Sequence, residues 1–228
     1  MQETKNAKQD RSTLPPPILI STLVIKNHES FHFYKESDQY IDSIDKIREA
    51  INNTTEDENN PKVIPIQLGL SPDSFTYKNF KKNLYFENAM LIFTKVKIHD
   101  NLPNFKWTII PNETKKIGSY LCKKATIRYR DDLNIVWFTD EIPISNGPYE
   151  FGGLPGLILQ IENSDQRISA TKIIAKSTDF AFDFPEVPNK KPEMLSLASY
   201  NEEDRKITER MREDAKAGKP LIINLNKN

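Results

Sequence analysis

Residues 141–162 read EIPISNGPYEFGGLPGLILQIE, and four of the chain's seven glycines fall between Gly147 and Gly156 of this run. Glycine lacks Cβ, so a chain short of it places it where the backbone takes positive φ or closely approaches another group. Asn146-Gly147 ahead of Pro148 is a turn dipeptide. In Leu154-Pro155-Gly156-Leu157, proline presets the second turn position, and glycine supplies positive φ at the third, as a type II turn requires. Beyond it, Leu157 to Ile161 is apolar enough for a buried strand. A strand, two tight turns and a strand point to antiparallel sheet.

Working outward, the chain alternates short β-branched and aromatic runs with polar or proline-bearing breaks. Upstream runs begin at Ile18, Phe31, Lys62, Asp73, Asn83, Met90 and Phe105. Ala125 to Arg130, Asp131-Asp132 and Asn134 to Ile142 read as a hairpin. The loop from Asn163 and the run from Ile168 continue it. Sequential strands of this kind make a meander. The fold class predicted is β-rich α+β: a large curved antiparallel β-sheet with one or two packed helices. Ile41, Ile44, Ile47 and Ile51 stand at helical spacing, which predicts a helix over 40–51. Acids before bases from Asn201, with Gly218 as a stop, predict a second helix. Leu221 to Leu225 reads as a last strand. Residues 1–17, polar and closed by Pro15-Pro16-Pro17, read as a disordered leader to a single domain over 18–228.

The run also resembles the GLPGLI family, whose name Gly153-Leu-Pro-Gly-Leu-Ile158 spells out. Ile117 to Ala125, Trp137 to Pro143, and Leu23 to Tyr34 with its Ser30-Phe31 pair fall in that family's order. The resemblance covers residues 105–176 most fully. It implies an exported, periplasmic protein of the Bacteroidetes-type envelope, near outer-membrane transport receptors and without a defining activity. The polar start then belongs to a mature form lacking its signal peptide.

Lysine plus arginine and aspartate plus glutamate stand at 32 each. That balance offers no basic footprint for nucleic acid, and no apolar run reaches membrane-spanning length. Cys122, the sole cysteine, excludes an intramolecular disulfide and a cysteine metal cluster. It reads as a small buried hydrophobe.

His28-Glu-Ser-Phe-His32 matches the H-E-x-x-H pattern, which on a helix binds zinc through both imidazoles beside a general-base glutamate. Here it lies between strand-like runs, and a strand does not give that geometry. A zinc-dependent hydrolase on His28, Glu29 and His32 is therefore the alternative reading. No cofactor is expected. Gly156 is followed by no Lys-Ser/Thr and opens a strand, against a phosphate loop. Asp131-Asp132 and Asp140-Glu141 are adjacent acids that point to opposite faces of a strand. Ser119, Ser145 and His99 have no triad context.

Aromatics cluster around the glycine run. Trp137, Tyr149 and Phe151, with Gly152, Gly153, Leu154, Pro155 and Gly156, form the candidate binding surface. Rings and bare backbone N–H groups there suit a peptide, an apolar ligand or an envelope protein partner. The function predicted is thus a non-catalytic exported binding protein, accessory to a transport receptor.

Overall fold

A computed structural model describes residues 20–35, 74–91, 94–164, 166–174 and 182–217. The expected helix over 40–51, the strand from Leu221, the leader and Gly218 lie outside these residues. The chain divides into two compact units, Met1–Ile20 with Lys35–Gln67, and Ser21–Tyr34 with Leu68–Asn228. The second holds nearly all the described residues.

The expected β-rich α+β class and antiparallel meander are borne out: the described residues form two five-stranded sheets with one helix. In the first sheet β1 (Ile20–Lys26), β2 (Glu29–Lys35), β3 (Phe75–Asn79), β4 (Leu84–Leu91) and β5 (Thr94–Asp100) lie side by side in chain order. The second contains β6 (Thr108–Ile117), β7 (Tyr120–Tyr129), β8 (Asp132–Thr139), β9 (Leu157–Glu162) and β10 (Arg167–Ser169), again in sequential order. Among the described residues each strand thus lies beside the next described strand, with 39 residues between β2 and β3. That is the arrangement short polar breaks between strands favour.

The hairpin of β7 and β8 turns at Arg130 and Asp131, both at positive φ (54° and 59°). Two left-handed residues in a two-residue loop form a type I′ turn, whose twist matches the flanking strands. In β6, the register to β7 shifts between Ile110 and Thr114, and Asn112 there has φ 63°. Pro111 offers no N–H to the ladder, so a bulge on this edge strand is where the sequence places it.

Helix α1 (Leu197–Lys216) starts four residues before the expected Asn201. Ser196 Oγ accepts the Ser199 N–H at 3.0 Å, and the Asp100 carboxylate accepts the Leu197 N–H at 2.9 Å. Two oxygens therefore satisfy orphan donors of the first turn. Leu197 and Tyr200 are buried against Tyr85, Ala89 and Ile98 of the first sheet. Ahead of the helix, Leu195 donates to the Lys97 carbonyl and accepts from the His99 N–H, which covers the β5 edge.

The second sheet buries two faces, as the apolar composition of β8 and β9 requires. One packs Ala125, Val136, Phe138, Ile158 and Ile161 under Phe151 and Leu154 of the glycine-rich loop. The other packs Ile117, Cys122, Leu157 and Leu159, with Leu23, Ile25 and Trp137 alongside. Cys122 is a free thiol and fully buried, in keeping with a small core hydrophobe.

The proposed type II turn at Leu154–Leu157 needs correction. Positive φ among the described glycines falls on Gly118 and Gly153, not Gly156. Gly156 is required for a different reason. A Cβ on it stands 2.0 Å from the Thr139 carbonyl oxygen, so β8 and the start of β9 cross closer than any side chain permits.

Candidate functional site

Strand alternation puts residues of β2, β3 and β4 onto a common face. His32 pairs with Thr76, and Ser30 with Lys78; Thr76 pairs with Glu87, and Lys78 with Tyr85. The inner face of the first sheet therefore carries Ser30, His32, Tyr34, Thr76, Lys78, Tyr85 and Glu87. Its other face carries Phe31, Phe33, Phe75, Tyr77 and Phe86, of which the four phenylalanines pack ring to ring. Polar residues at period two within aromatic strands build this site.

The glycine-rich loop meets that face. Lys78 Nζ, from a wholly buried side chain, donates to the Gly147 carbonyl at 2.8 Å and the Phe151 carbonyl at 2.9 Å. The Tyr149 N–H donates to His32 Nδ1 at 3.3 Å, and the two rings meet edge to face at 4.9 Å. The Tyr34 hydroxyl donates to the Tyr149 hydroxyl, and Tyr149 takes φ 50° to reach it. Between Tyr149 and Phe151, Glu150 points inward and pairs with Arg130 at 3.0 Å. Arg130 lies over the Tyr129 and Tyr200 rings at 5.4 and 5.6 Å.

These groups adjoin a cavity of about 260 Å³, whose walls include Tyr34, Thr76, Glu87, Tyr149, Tyr200 and Asp204. The Tyr200 hydroxyl donates to the Met90 carbonyl at 3.1 Å and fixes α1 as one wall.

Burial dominates the electrostatics. The Glu87 carboxyl is pushed up to about 7, by desolvation first and then by the negative Glu150 nearby. Its partner, the Tyr85 hydroxyl that donates to it, and the Arg130 cation oppose the rise. Desolvation lowers the Lys78 ammonium to about 7, partly offset by Glu150. His32 falls to about 3, by burial and then by Lys78, and stays neutral. With Nδ1 accepting from Tyr149, its proton sits on Nε2, which has no partner among the described residues. Tyr149 is raised to about 12, and Tyr34 further, both chiefly by burial. The cavity thus offers one carboxyl poised between its charged and neutral forms at neutral pH, the condition for proton transfer in either direction.

Of the eight residues singled out in the sequence, Tyr149 alone is among the cavity's walls. Phe151 and Leu154 are core. The Gly152 carbonyl accepts from Trp107 Nε1 at 2.8 Å, and the Gly153 N–H donates to Ser145 Oγ at 3.2 Å. Pro155 is exposed and Gly156 is buried. Trp137 lies among the Cys122 and Leu157 side chains, with Lys115 Nζ 4.1 Å from its ring centre. The zinc alternative fails on geometry: Asn27-His28 is a turn and Glu29–Lys35 a strand, so the two imidazoles never share a helix face. Sequence reading missed Glu87, Lys78, Tyr34 and Tyr200. The signal was present as Thr76 and Lys78 alternating with Phe75 and Tyr77.

The chain belongs to the family described as N-glycanase peptide, N-terminal domain, which it matches over residues 71–202. Two solved structures of PNGF-II are similar to it. One, in space group C2, shares 21% identity, covers 82% of this chain and 29% of that one, and superposes with a TM-score of 0.43. The other, in space group P21, shares 20% identity, covers 81% and 29%, and has the same TM-score of 0.43. This chain therefore spans under a third of the length of those structures. Among curated proteins, nothing matches.

These findings correct the GLPGLI assignment and its non-catalytic, receptor-linked binding role. Six letters, Gly153 to Ile158, spell a strand crossing at Gly156 and a left-handed residue at Gly153; they do not fix ancestry. Among the described residues no helix is long and apolar enough to cross a membrane.

Proposed function

We propose that the chain takes part in enzymatic processing of N-linked glycans, with the Glu87 cavity as the place where a sugar is handled. Family membership supplies the substrate class. The observation that carries the site is the Glu87 carboxyl held near pH 7 in a cavity wall. Around neutral pH it can hand a proton to the leaving atom as the glycan–peptide linkage breaks. The Tyr34, Tyr149 and Tyr200 rings offer flat apolar faces with polar edges, suited to a saccharide. At about 260 Å³ the cavity takes one sugar ring rather than an extended chain. Export from the cell belongs to the same reading.

The test is release of glycan from an N-glycosylated peptide by the purified chain. Glu87→Gln keeps the shape and removes the titrating proton. Its rate should fall by about 10²-fold or more with KM little changed. No release by the parent chain, or equal release by Glu87→Gln, overturns the proposal.

A further inference from the structure

The outer face of the first sheet holds a second recess, of about 510 Å³, none of whose lining residues borders the Glu87 cavity. Strand alternation sets its floor. Glu29, Asn79 and Leu84 stand in one cross-strand row, and Tyr77 and His99, either side of Phe86, in the next. Glu29, Tyr77, Leu84 and His99 line the recess, so it crosses the strands from β2 to β5, about 14 Å at the usual strand spacing. Its roof is the segment from Phe182 to Asn189. Phe184 and Val187 fasten that segment to the cluster of Tyr77 and Phe86, and Pro185 and Pro188 fix its backbone φ.

The floor presents a carboxylate. Glu29 Oε1 accepts from Asn79 Nδ2 at 2.9 Å and from the Tyr77 hydroxyl, and both donors belong to buried side chains. Asn79 Nδ2 lies 3.1 Å from the Tyr77 hydroxyl as well, which closes the triangle and fixes the carboxylate. Among the described residues Glu29 Oε2 has no donor, and the His99 ring meets only the edge of Phe86. Lys82, Asp183 and Glu186, all exposed, add one base and two acids.

We propose that this recess is a saccharide-binding subsite that holds a short neutral oligosaccharide across β2 to β5, with Glu29 accepting from a sugar hydroxyl at one end and His99 bonding another at the far end. In naming a sugar the inference rests on the glycan reading above. A hydroxyl both donates and accepts, so it suits acids and bases set side by side. A cationic ligand meets Lys82 there, and an anionic one meets three carboxylates. The strand backbones beneath are spent in the ladder, so a peptide finds no free row of N–H and C=O groups such as a sheet edge gives. The half-buried Phe182 and Phe184 rings supply apolar surface for sugar C–H groups. Because the recess lies on the face opposite Glu87, its occupant is a second stretch of glycan rather than the sugar being processed.

The experiment titrates the full chain with the free pentasaccharide core of an N-linked glycan and follows the imidazole C–H signals by NMR, which three histidines keep separable. The His99 signals should shift and saturate. Glu29→Gln should weaken that titration about tenfold, the loss of one hydrogen bond to a charged acceptor. His99 signals that stay still in the parent chain, or that titrate equally in Glu29→Gln, overturn the proposal. A stronger response to pentalysine also overturns it, and marks a site for basic peptides. If Glu29→Gln does not fold, Lys82→Met takes its place: a several-fold weakening supports the subsite, and unchanged affinity overturns it. Glycan release is scored separately. A His99 titration in a chain that releases no glycan sustains the subsite and overturns the catalytic reading. Release with His99 unmoved does the reverse.

Discussion

Glycine at two positions of this chain answers two different needs, and substitution separates them. At Gly156 the obstacle is the Thr139 carbonyl, 2.0 Å from any Cβ. At Gly118 nothing lies within 4 Å of one, but φ is +59°. Gly118→Ala should therefore cost about 1 kcal/mol, the price of a left-handed alanine. Gly156→Ala should cost about 3 kcal/mol or more, because β8 and β9 must separate. Chemical denaturation of both variants checks the order, and equal costs would contradict the crossing. The sequence announced Gly156 as special because glycine is scarce. It did not say why, since close approach and positive φ leave the same letter. Glu87 gave a fainter signal. One acid in the run Leu84-Tyr85-Phe86-Glu87-Asn88 reads as solvated until pairing with Thr76 turns it toward the loop.

Among the elements, α1 shows how far a pattern reaches. Leu197, Tyr200, Asp204, Ile207 and Met211 recur at three- and four-residue spacing. The last four of these, from Tyr200 on, line the cavity. Acids and bases from Asn201 made the helix legible, but its strongest apolar anchors lie just upstream, within Leu195-Ser196-Leu197-Ala198, which reads equally well as loop. Ser196→Ala removes the cap on the Ser199 N–H and should cost about 1 kcal/mol. The Asp100 bond to the Leu197 N–H should hold the loss at that level. Double substitution with Asp100→Asn should exceed the sum of the single costs if both oxygens serve one helix end. Tyr200→Phe loses the bond to the Met90 carbonyl and keeps the ring. Thermal unfolding should then fall by a few degrees, while any cavity ligand loses a polar wall.

At the scale of the whole molecule, the meander was legible because its strands follow one another in order, and local breaks predict local pairing. The site was not, because it joins residues far apart in the chain. Lys78 reaches carbonyls 69 and 73 residues away, and no periodicity encodes such a meeting. The family name shows the same limit: a short string in the loop pointed to one lineage, while the match over 71–202 gives another. Lys78 also sets a pH dependence. Its folded-state value near 7 lies below the ordinary 10.5, so between those values the unfolded chain binds a proton that the folded chain does not. Stability should rise with pH across that window, by at most about 1.4 kcal/mol per unit. Lys78→Met should flatten this rise in denaturation measured from pH 7 to 10, and an unchanged slope would remove Lys78 as its source.

The same lysine has a consequence in time. Short loops close early, and most neighbouring strands here are joined by them, although 39 residues separate β2 from β3. The β7–β8 hairpin, with only Arg130 and Asp131 between its strands, is one such case. The Lys78 clamp joins partners 69 and 73 residues apart and needs the loop and the first sheet already in place, so it belongs after the rate-limiting barrier. Lys78→Met should then speed unfolding while leaving refolding nearly unchanged. The clamp that shapes the cavity is thereby also the latch on the native state, and it governs how long a folded molecule lasts rather than how quickly one is made.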